Sequence, residues 1–296
     1  MKAMKTKKKF SVYALVIGVL LALYSFLIIS ILVWGFSASL KKQDEYFYNV
    51  MPWLYEEGVE FKYLDVLVNS TFEVVLDGFV PPRYIYLDQM FVNSLTYSLG
   101  CAFVSTLSPL VMSYVASKYQ YKISKVIHRI VLIVMVVPIV GTTASTLEIV
   151  KFLNIYDTYI GSLILKAGFT NLYFLVFYSA FQTLSWEYAE AAFVDGASHT
   201  RVMFGIMLPL IRPIIFSVFL IFFVTYWNDY TTLYTYYPSH PTAALGLFYF
   251  NRNTTTSAQE AMLLTGCLLV TIPVIILFLI FREKLMGNIS MGGIKG

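Results

Sequence analysis

An all-α polytopic membrane protein with six transmembrane helices and both termini in the cytoplasm is the fold class this sequence predicts. Residue usage, run length and the placement of basic residues carry that expectation. Of 296 residues, 58% are hydrophobic and 13% charged, with a mean hydropathy of +0.70; a soluble domain carries about 25% charged residues. Runs with few or no charges cover 11–40, 89–117, 130–147, 167–186, 213–228 and 261–281. A bilayer span takes about 20 residues and tolerates about 17 to 25. The third run extends past Glu148 and the fifth reaches back across Arg212 to Leu208 and on past Asp229. Fourteen of the 21 Lys and Arg fall before the first span, between the second and third, between the fourth and fifth, or after the sixth. The positive-inside bias makes that side cytoplasmic.

The segments follow in order. A basic N-terminus, 1–9, carries Lys2, Lys5, Lys7, Lys8 and Lys9 and precedes a first helix at 10–40. That run is about twice the 7–15 apolar residues of a cleavable signal core, so a retained helix is expected. Residues 41–89 form an extracytoplasmic excursion with acidic Glu56, Glu57 and Glu60, a β-like stretch at 71–76, and aromatic side chains suited to the headgroup level. The remaining five helices occupy 90–284, interrupted by a cytoplasmic loop at 185–207, and a Gly-rich tail follows at 285–296. Pro109, Pro138, Pro213 and Pro273 punctuate the spans and are expected to bend them. A second outer segment, 234–258, reads as a polar connector. The net charge of +4 fits this topology and anionic lipid, not nucleic acid. Cys101 and Cys267 stand alone within apolar runs, and His128, His199 and His240 are scattered, so no metal site is expected.

The cytoplasmic loop is the informative stretch. Residues 187–209 read EYAEAAFVDGASHTRVMFGIMLP, placing Glu187, Glu190, Ala191, Ala192, Asp195 and Gly196 between two apolar runs. A short helix that docks in a groove needs small residues for close approach, a charge to fix its orientation, and a break at its end. Ala189, Ala191 and Ala192 supply the first, Glu190 the second, and Gly196 the third through the left-handed backbone glycine permits. Leu208 and Pro209 are expected to start the next span.

The spacing Glu190-Ala191-Ala192, three residues, Gly196, nine residues, Ile206, one residue, Leu208-Pro209 resembles the EAA signature of permease subunits in binding-protein-dependent ABC importers. Asp195-Gly196-Ala197, the Trp227-Asn228 pair, and the final Gly292, Gly293, Ile294, Lys295 and Gly296 are similar to the carbohydrate-transporting, maltose-transporter-like branch. The resemblance covers about residues 90–296 and implies the type I ABC importer permease fold. It further implies half of a translocation pore, with a second homologous permease, two cytoplasmic ATPase subunits and an extracytoplasmic sugar-binding protein as partners. In such permeases a tail like Gly292, Gly293 and Lys295 enters the ATPase interface, and an outer loop corresponding to Asn251, Arg252 and Asn253 meets the binding protein.

No GxxxxGK[ST] phosphate loop and no nucleophile-base arrangement occurs in the chain. The chain is therefore expected to bind no cofactor and to be no enzyme, with ATP held by its partners. Candidates along a substrate path are Asn93, Thr142, Trp227, Asn228 and Asp229, since intramembrane polar groups and aromatic faces suit sugar. Each serves interhelical hydrogen bonding or an interfacial belt equally well. An ion-coupled secondary transporter is the competing class, but the fourth and sixth runs lack a central carboxylate. An ABC permease for another solute is the other alternative.

Overall fold

The computed structural model describes residues 12–42, 45, 48–49, 51, 53, 55–68, 73–76, 83–119, 121–137, 140–253 and 260–287; Gly292, Gly293 and Lys295 lie outside them. Two compact units emerge, one of Met1–Phe72 with Asn253–Leu269, the other of Glu73–Arg252 with Val270–Gly296.

The first unit is built on α1 (Val12–Ser39), 28 residues long, or about 42 Å at 1.5 Å per residue, ample for a hydrocarbon core of about 30 Å. Its apolar side chains are exposed on every face and only Gly35, Ala38 and Ser39 are buried, the pattern of a helix surrounded by lipid or partner protein. Beyond it, Lys41 is buried and its ammonium donates to the Asn49 carbonyl, while Lys62 Nζ donates to the Lys41 carbonyl at 2.7 Å. The Glu45 carboxylate accepts the backbone N–H of Glu56 at 2.8 Å and of Glu57 at 3.2 Å. These bonds satisfy charges withdrawn from water and give the excursion an ordered start, closed by the short α2 (Tyr63–Val68).

The second unit opens with an antiparallel pair, β1 (Glu73–Leu76) and β2 (Arg83–Tyr86), in the register Glu73 to Tyr86 and Leu76 to Arg83. The β-like stretch expected at 71–76 is thus one strand of a hairpin. Its partner runs directly into α3 (Leu87–Lys118), the 32-residue helix around which the unit is organised. α3 packs along α4 (Lys122–Val136), α6 (Tyr159–Lys166), α7 (Leu172–Thr183) and α11 (Arg212–Trp227). Between α4 and α6 lies α5 (Thr142–Phe152). After α7 come α8 (Glu187–Val194), α9 (His199–Val202), a π-turn (Met203–Met207) and α10 (Leu208–Leu210). After α11 come α12 (Thr231–Tyr236), α13 (Ala243–Asn253) and α14 (Glu260–Gly287).

Among the described residues, three helices are long and apolar enough to cross a membrane alone, Val12–Ser39, Leu87–Lys118 and Met262–Phe281. Counting the bent pair His199–Leu210 and Arg212–Trp227 as one span brings the number to four. The third apolar run is divided between α4 and α5, with Gly141 at φ +78° heading α5. The fourth holds only the 12-residue α7, whose first turn is capped by Asn171 Oδ1 accepting from Tyr173 and Phe174. The fifth is where the expected start at Leu208 and Pro209 needs correction. α10 ends at Leu210, the chain turns by 80°, and the long helix begins at Arg212. Pro213 has no N–H to donate to the Pro209 carbonyl, so the ladder is interrupted at that point and Pro213 sits harmlessly in the first turn of the next helix. Pro109 and Pro273, by contrast, lie inside continuous helices.

Candidate functional site

The loop singled out by its polar spacing is ordered from end to end. Ser185 Oγ accepts the Glu187 N–H at 3.2 Å ahead of α8, and Ser198 Oγ accepts the Arg201 N–H at 3.3 Å ahead of α9. At the end of α8 the Ala197 N–H bonds the Ala192 carbonyl at 2.9 Å and the Gly196 N–H bonds the Phe193 carbonyl at 3.0 Å. That pair of bonds is a Schellman stop, which requires a left-handed residue. Gly196 occupies it at φ +79°. Helix α8 turns Ala189 wholly inward, against a core of Leu110, Phe177, Phe181, Val202 and Met207. Glu187, Tyr188, Glu190, Ala191, Val194 and Asp195 face outward, with Val194 87% exposed. The three alanines therefore divide their work. Ala189 seats the loop on its own bundle instead of meeting a partner, Ala192 is half-buried beside it, and Ala191 is presented to the exterior. Ile206 and Pro209 are half-buried in the turns that lead to the bend. The outward face combines three carboxylates with an apolar patch, the chemistry of a surface that accepts a groove bearing a base and a small hydrophobic pocket.

A second constellation forms where α3, α6, α11 and α12 meet. Lys166 Nζ lies 2.9 Å from Asp229 Oδ2, with side chains 19% and 13% exposed. The ammonium also donates to Thr232 Oγ1 at 3.0 Å and stands 4.9 Å from the centre of the Tyr226 ring. Asp229 accepts the Thr232 N–H at 3.0 Å and the Tyr97 hydroxyl at 3.2 Å. Ser105 Oγ donates to the Lys166 carbonyl at 2.8 Å and shares a hydrogen with the Tyr226 hydroxyl at 2.7 Å. Two opposite charges withdrawn from water are satisfied on every side, so the cluster joins four helices through directed bonds where dispersion alone would allow sliding.

The other candidates are dispersed. Trp227 is buried, and its indole N–H donates to the Val270 carbonyl at 3.0 Å, tying α11 to α14. Asn228 is exposed and its amide returns to the Val224 carbonyl at 2.8 Å. Asn93 donates to the Pro241 carbonyl at 3.0 Å, while the neighbouring Ser94 Oγ accepts the Ala243 N–H at 2.8 Å, so 241–243 is pinned onto α3. Thr142 is exposed in the first turn of α5. The described part of the segment read as a polar connector, 234–253, is largely helical: Tyr237, Leu245 and Phe250 are buried, and Ser239 donates through its backbone N–H at 3.1 Å and its hydroxyl to the Asp157 carboxylate. Burial pushes the Tyr237 phenol up, with Asp157 adding to the effect, so it stays neutral. Asn251 and Arg252 are exposed at the end of α13, and Asn253 is its last residue.

Residues 108–286 match the family described as the binding-protein-dependent transport system inner membrane component, which covers more than half of the chain. The chain belongs to that family. This permease is 22% identical over 237 residues to the trehalose transport system permease protein SugB of Mycobacterium tuberculosis (strain CDC 1551 / Oshkosh), covering 78% of this chain and 85% of that one. It is 26% identical over 265 residues to the galactooligosaccharides transport system permease protein GanQ of Bacillus subtilis (strain 168), covering 83% and 90%. It is 26% identical over 217 residues to the maltodextrin transport system permease protein MdxG of the same Bacillus strain, covering 72% and 77%. Its fold is similar, at a TM-score of 0.75 and 18% identity, to a chain in the crystal structure of a bacterial ABC transporter involved in the import of the acidic polysaccharide alginate, covering 94% of this chain and 99% of that one. The permease is accordingly an integral membrane protein of the ABC permease fold.

Within this permease, sequence reasoning missed Lys118, Tyr119 and Lys166. Lys118 and Lys166 enter only as charges among the 21 basic residues, and Tyr119 carries no sequence signal of its own. A lysine at the border of an apolar run is the signal that draws attention to Lys166, because a charge withdrawn from water demands a counterpart, though it does not say which one.

Proposed function

We propose that this permease is one of two membrane subunits of an ATP-driven importer for a sugar or oligosaccharide. It forms half of the pore, and its 185–207 loop takes force from a cytoplasmic ATPase. The observation that carries this reading is the outward face of α8, with Glu187, Glu190 and Asp195 beside exposed Ala191 and Val194, presented on a helix held rigidly by buried Ala189 and the stop at Gly196. Rigid presentation suits docking and force transfer, whereas a solvated loop would need neither a buried seat nor a cap. The carbohydrate assignment draws support from the trehalose, galactooligosaccharide and maltodextrin transport permeases it is similar to.

In this reading the chain crosses the membrane six times with both termini cytoplasmic, the third and fifth crossings being broken helices. The segment divisions 1–9, 10–40, 41–89, 90–284 and 285–296 follow from it. A companion permease faces this chain, two ATPase subunits bind ATP beneath the pair, and an extracytoplasmic sugar-binding protein delivers cargo near Asn251, Arg252 and Asn253. The tail residues Gly292, Gly293 and Lys295 reach the ATPase. Among the path candidates, Asn228 and Thr142 are exposed and in this reading face the companion, while Asp229 is held by Lys166.

The test is the complete importer carrying Glu190→Lys. Loss of the ATPase on co-purification, with the membrane subunits still assembled, is the expected result. An ATPase that remains bound with normal sugar uptake overturns the docking assignment.

A further inference from the structure

At the end of α3, its last residue and the one that follows hold α8 from both ends. Lys118 Nζ donates to the Leu184 carbonyl at 2.6 Å and stands 5.9 Å from the centre of the Trp186 ring. Leu184 closes α7 and Trp186 precedes α8, so the ammonium satisfies a carbonyl at a helix C-terminus, where a cation is favoured. Tyr119 shares a hydrogen bond with His199 Nδ1 at 2.9 Å, beyond the other end of α8, and its ring meets Trp186 edge-on at 5.9 Å. His199 in turn packs on Phe193 of α8 at 4.7 Å, and Phe193 on Trp186 at 6.1 Å. An eight-residue helix tethered at one point can still swivel. Held before its first residue and after its last by neighbours on one rigid element, it can neither slide nor rotate independently of that element.

Resting on the coupling reading above, we propose that Lys118 and Tyr119 form a clasp that makes α3 the lever for the coupling loop. Tyr119 acts as a positioning residue through His199. The same helix carries Tyr97, about 33 Å away along its axis at 1.5 Å per residue, and Tyr97 bonds Asp229 in the Lys166 cluster. Displacement of α8 by the ATPase is thus delivered to the far end of the bundle by one helix, and the clasp is where the stroke enters it. A loop that only docked would need none of these bonds.

The test uses the complete importer in liposomes with ATP inside and loaded binding protein outside. Tyr119→Phe removes one hydroxyl and keeps every ring contact. It is expected to lower binding-protein-stimulated uptake about fivefold, the equivalent of about 1 kcal/mol for one neutral hydrogen bond, with the ATPase still co-purifying and the thermal midpoint of the complex lowered by no more than about 2 °C. His199→Ala is expected to give the same loss, the double variant no further loss, and His199→Gln, which retains a hydrogen-bonding side chain, partial recovery. Lys118→Met should add its own loss, since it acts on the other side of α8. Unchanged uptake in Tyr119→Phe, losses that multiply in the double variant, or release of the ATPase by Tyr119→Phe each overturns the clasp. Glu190→Lys separates the two readings: if it releases the ATPase while Tyr119→Phe behaves as wild type, docking stands and the clasp alone fails.

Discussion

Removing either partner of the Lys166–Asp229 pair should destabilise the permease, and the two removals should not be equivalent. At 2.9 Å and an effective dielectric of 20, the gross attraction is about 6 kcal/mol, most of it offset by the desolvation of both ions. Breaking a fully buried pair costs about 3–5 kcal/mol; the remaining exposure of 19% and 13% lets water reach the orphaned group, so about 2–3 kcal/mol is expected. Asp229 without Lys166 keeps the Thr232 N–H and the Tyr97 hydroxyl, two donors that suit a carboxylate. Lys166 without Asp229 keeps only the Thr232 hydroxyl and the Tyr226 ring. Asp229→Leu should therefore cost more than Lys166→Met. The double replacement should recover most of the loss, because two apolar side chains leave no buried charge behind. The assay is thermal unfolding of the detergent-solubilised importer, run as a double-mutant cycle. Single losses that simply add, or a larger loss for Lys166→Met, would refute this account of the cluster.

Further outcomes follow from other parts of the structure. Gly196→Val places a β-branched residue at φ +79° and should cost about 1–2 kcal/mol at the Schellman stop, seen as ATPase loss on co-purification without loss of the folded bundle. Gly161→Ala puts a Cβ against the Ile155 carbonyl, which cannot yield as a side-chain tip would, so the yield of folded protein on size-exclusion chromatography should fall sharply. Trp227→Phe removes the bond to the Val270 carbonyl while keeping the aromatic packing and should lower stability by about 1 kcal/mol, with transport retained in the surviving protein. Replacing Asn251 and Arg252 by alanine should leave assembly and basal ATP hydrolysis unchanged and reduce stimulation by loaded binding protein; full stimulation would leave that segment a connector.

The parts legible in sequence were those written in local pattern. The 187–196 stretch announces a short helix and its stop because alanines, carboxylates and a glycine lie within one window, and the Gly196 backbone follows from residue type alone. The bend after Leu210 is half legible: Leu208 and Pro209 read as the start of a span and Pro213 as a bend within it, while the 80° size of the turn is visible only in the structure. Trp227, with polar neighbours, suits a sugar-facing ring and an interhelical contact equally well in sequence. Only the packing shows its indole turned to Val270. The segment 234–258 reads as polar because of its ends, while its middle, 243–250, is a short apolar run that forms most of α13 and buries Ala243, Leu245 and Phe250. Lys166 and Asp229 are 63 residues apart, and nothing in a single sequence selects that pairing from the other oppositely charged combinations.

The central claim is that this chain moves sugar only as part of an ATP-driven assembly. It is tested most directly by comparing liposomes that hold this chain alone with liposomes that hold it with the companion permease and ATPase, the binding protein and labelled sugar being outside and ATP inside. The account predicts uptake that requires ATP and every partner, and none by the chain alone under an imposed proton or sodium gradient. Sugar accumulation by the chain alone, driven by such a gradient without ATP, would contradict it and establish a self-contained secondary transporter instead.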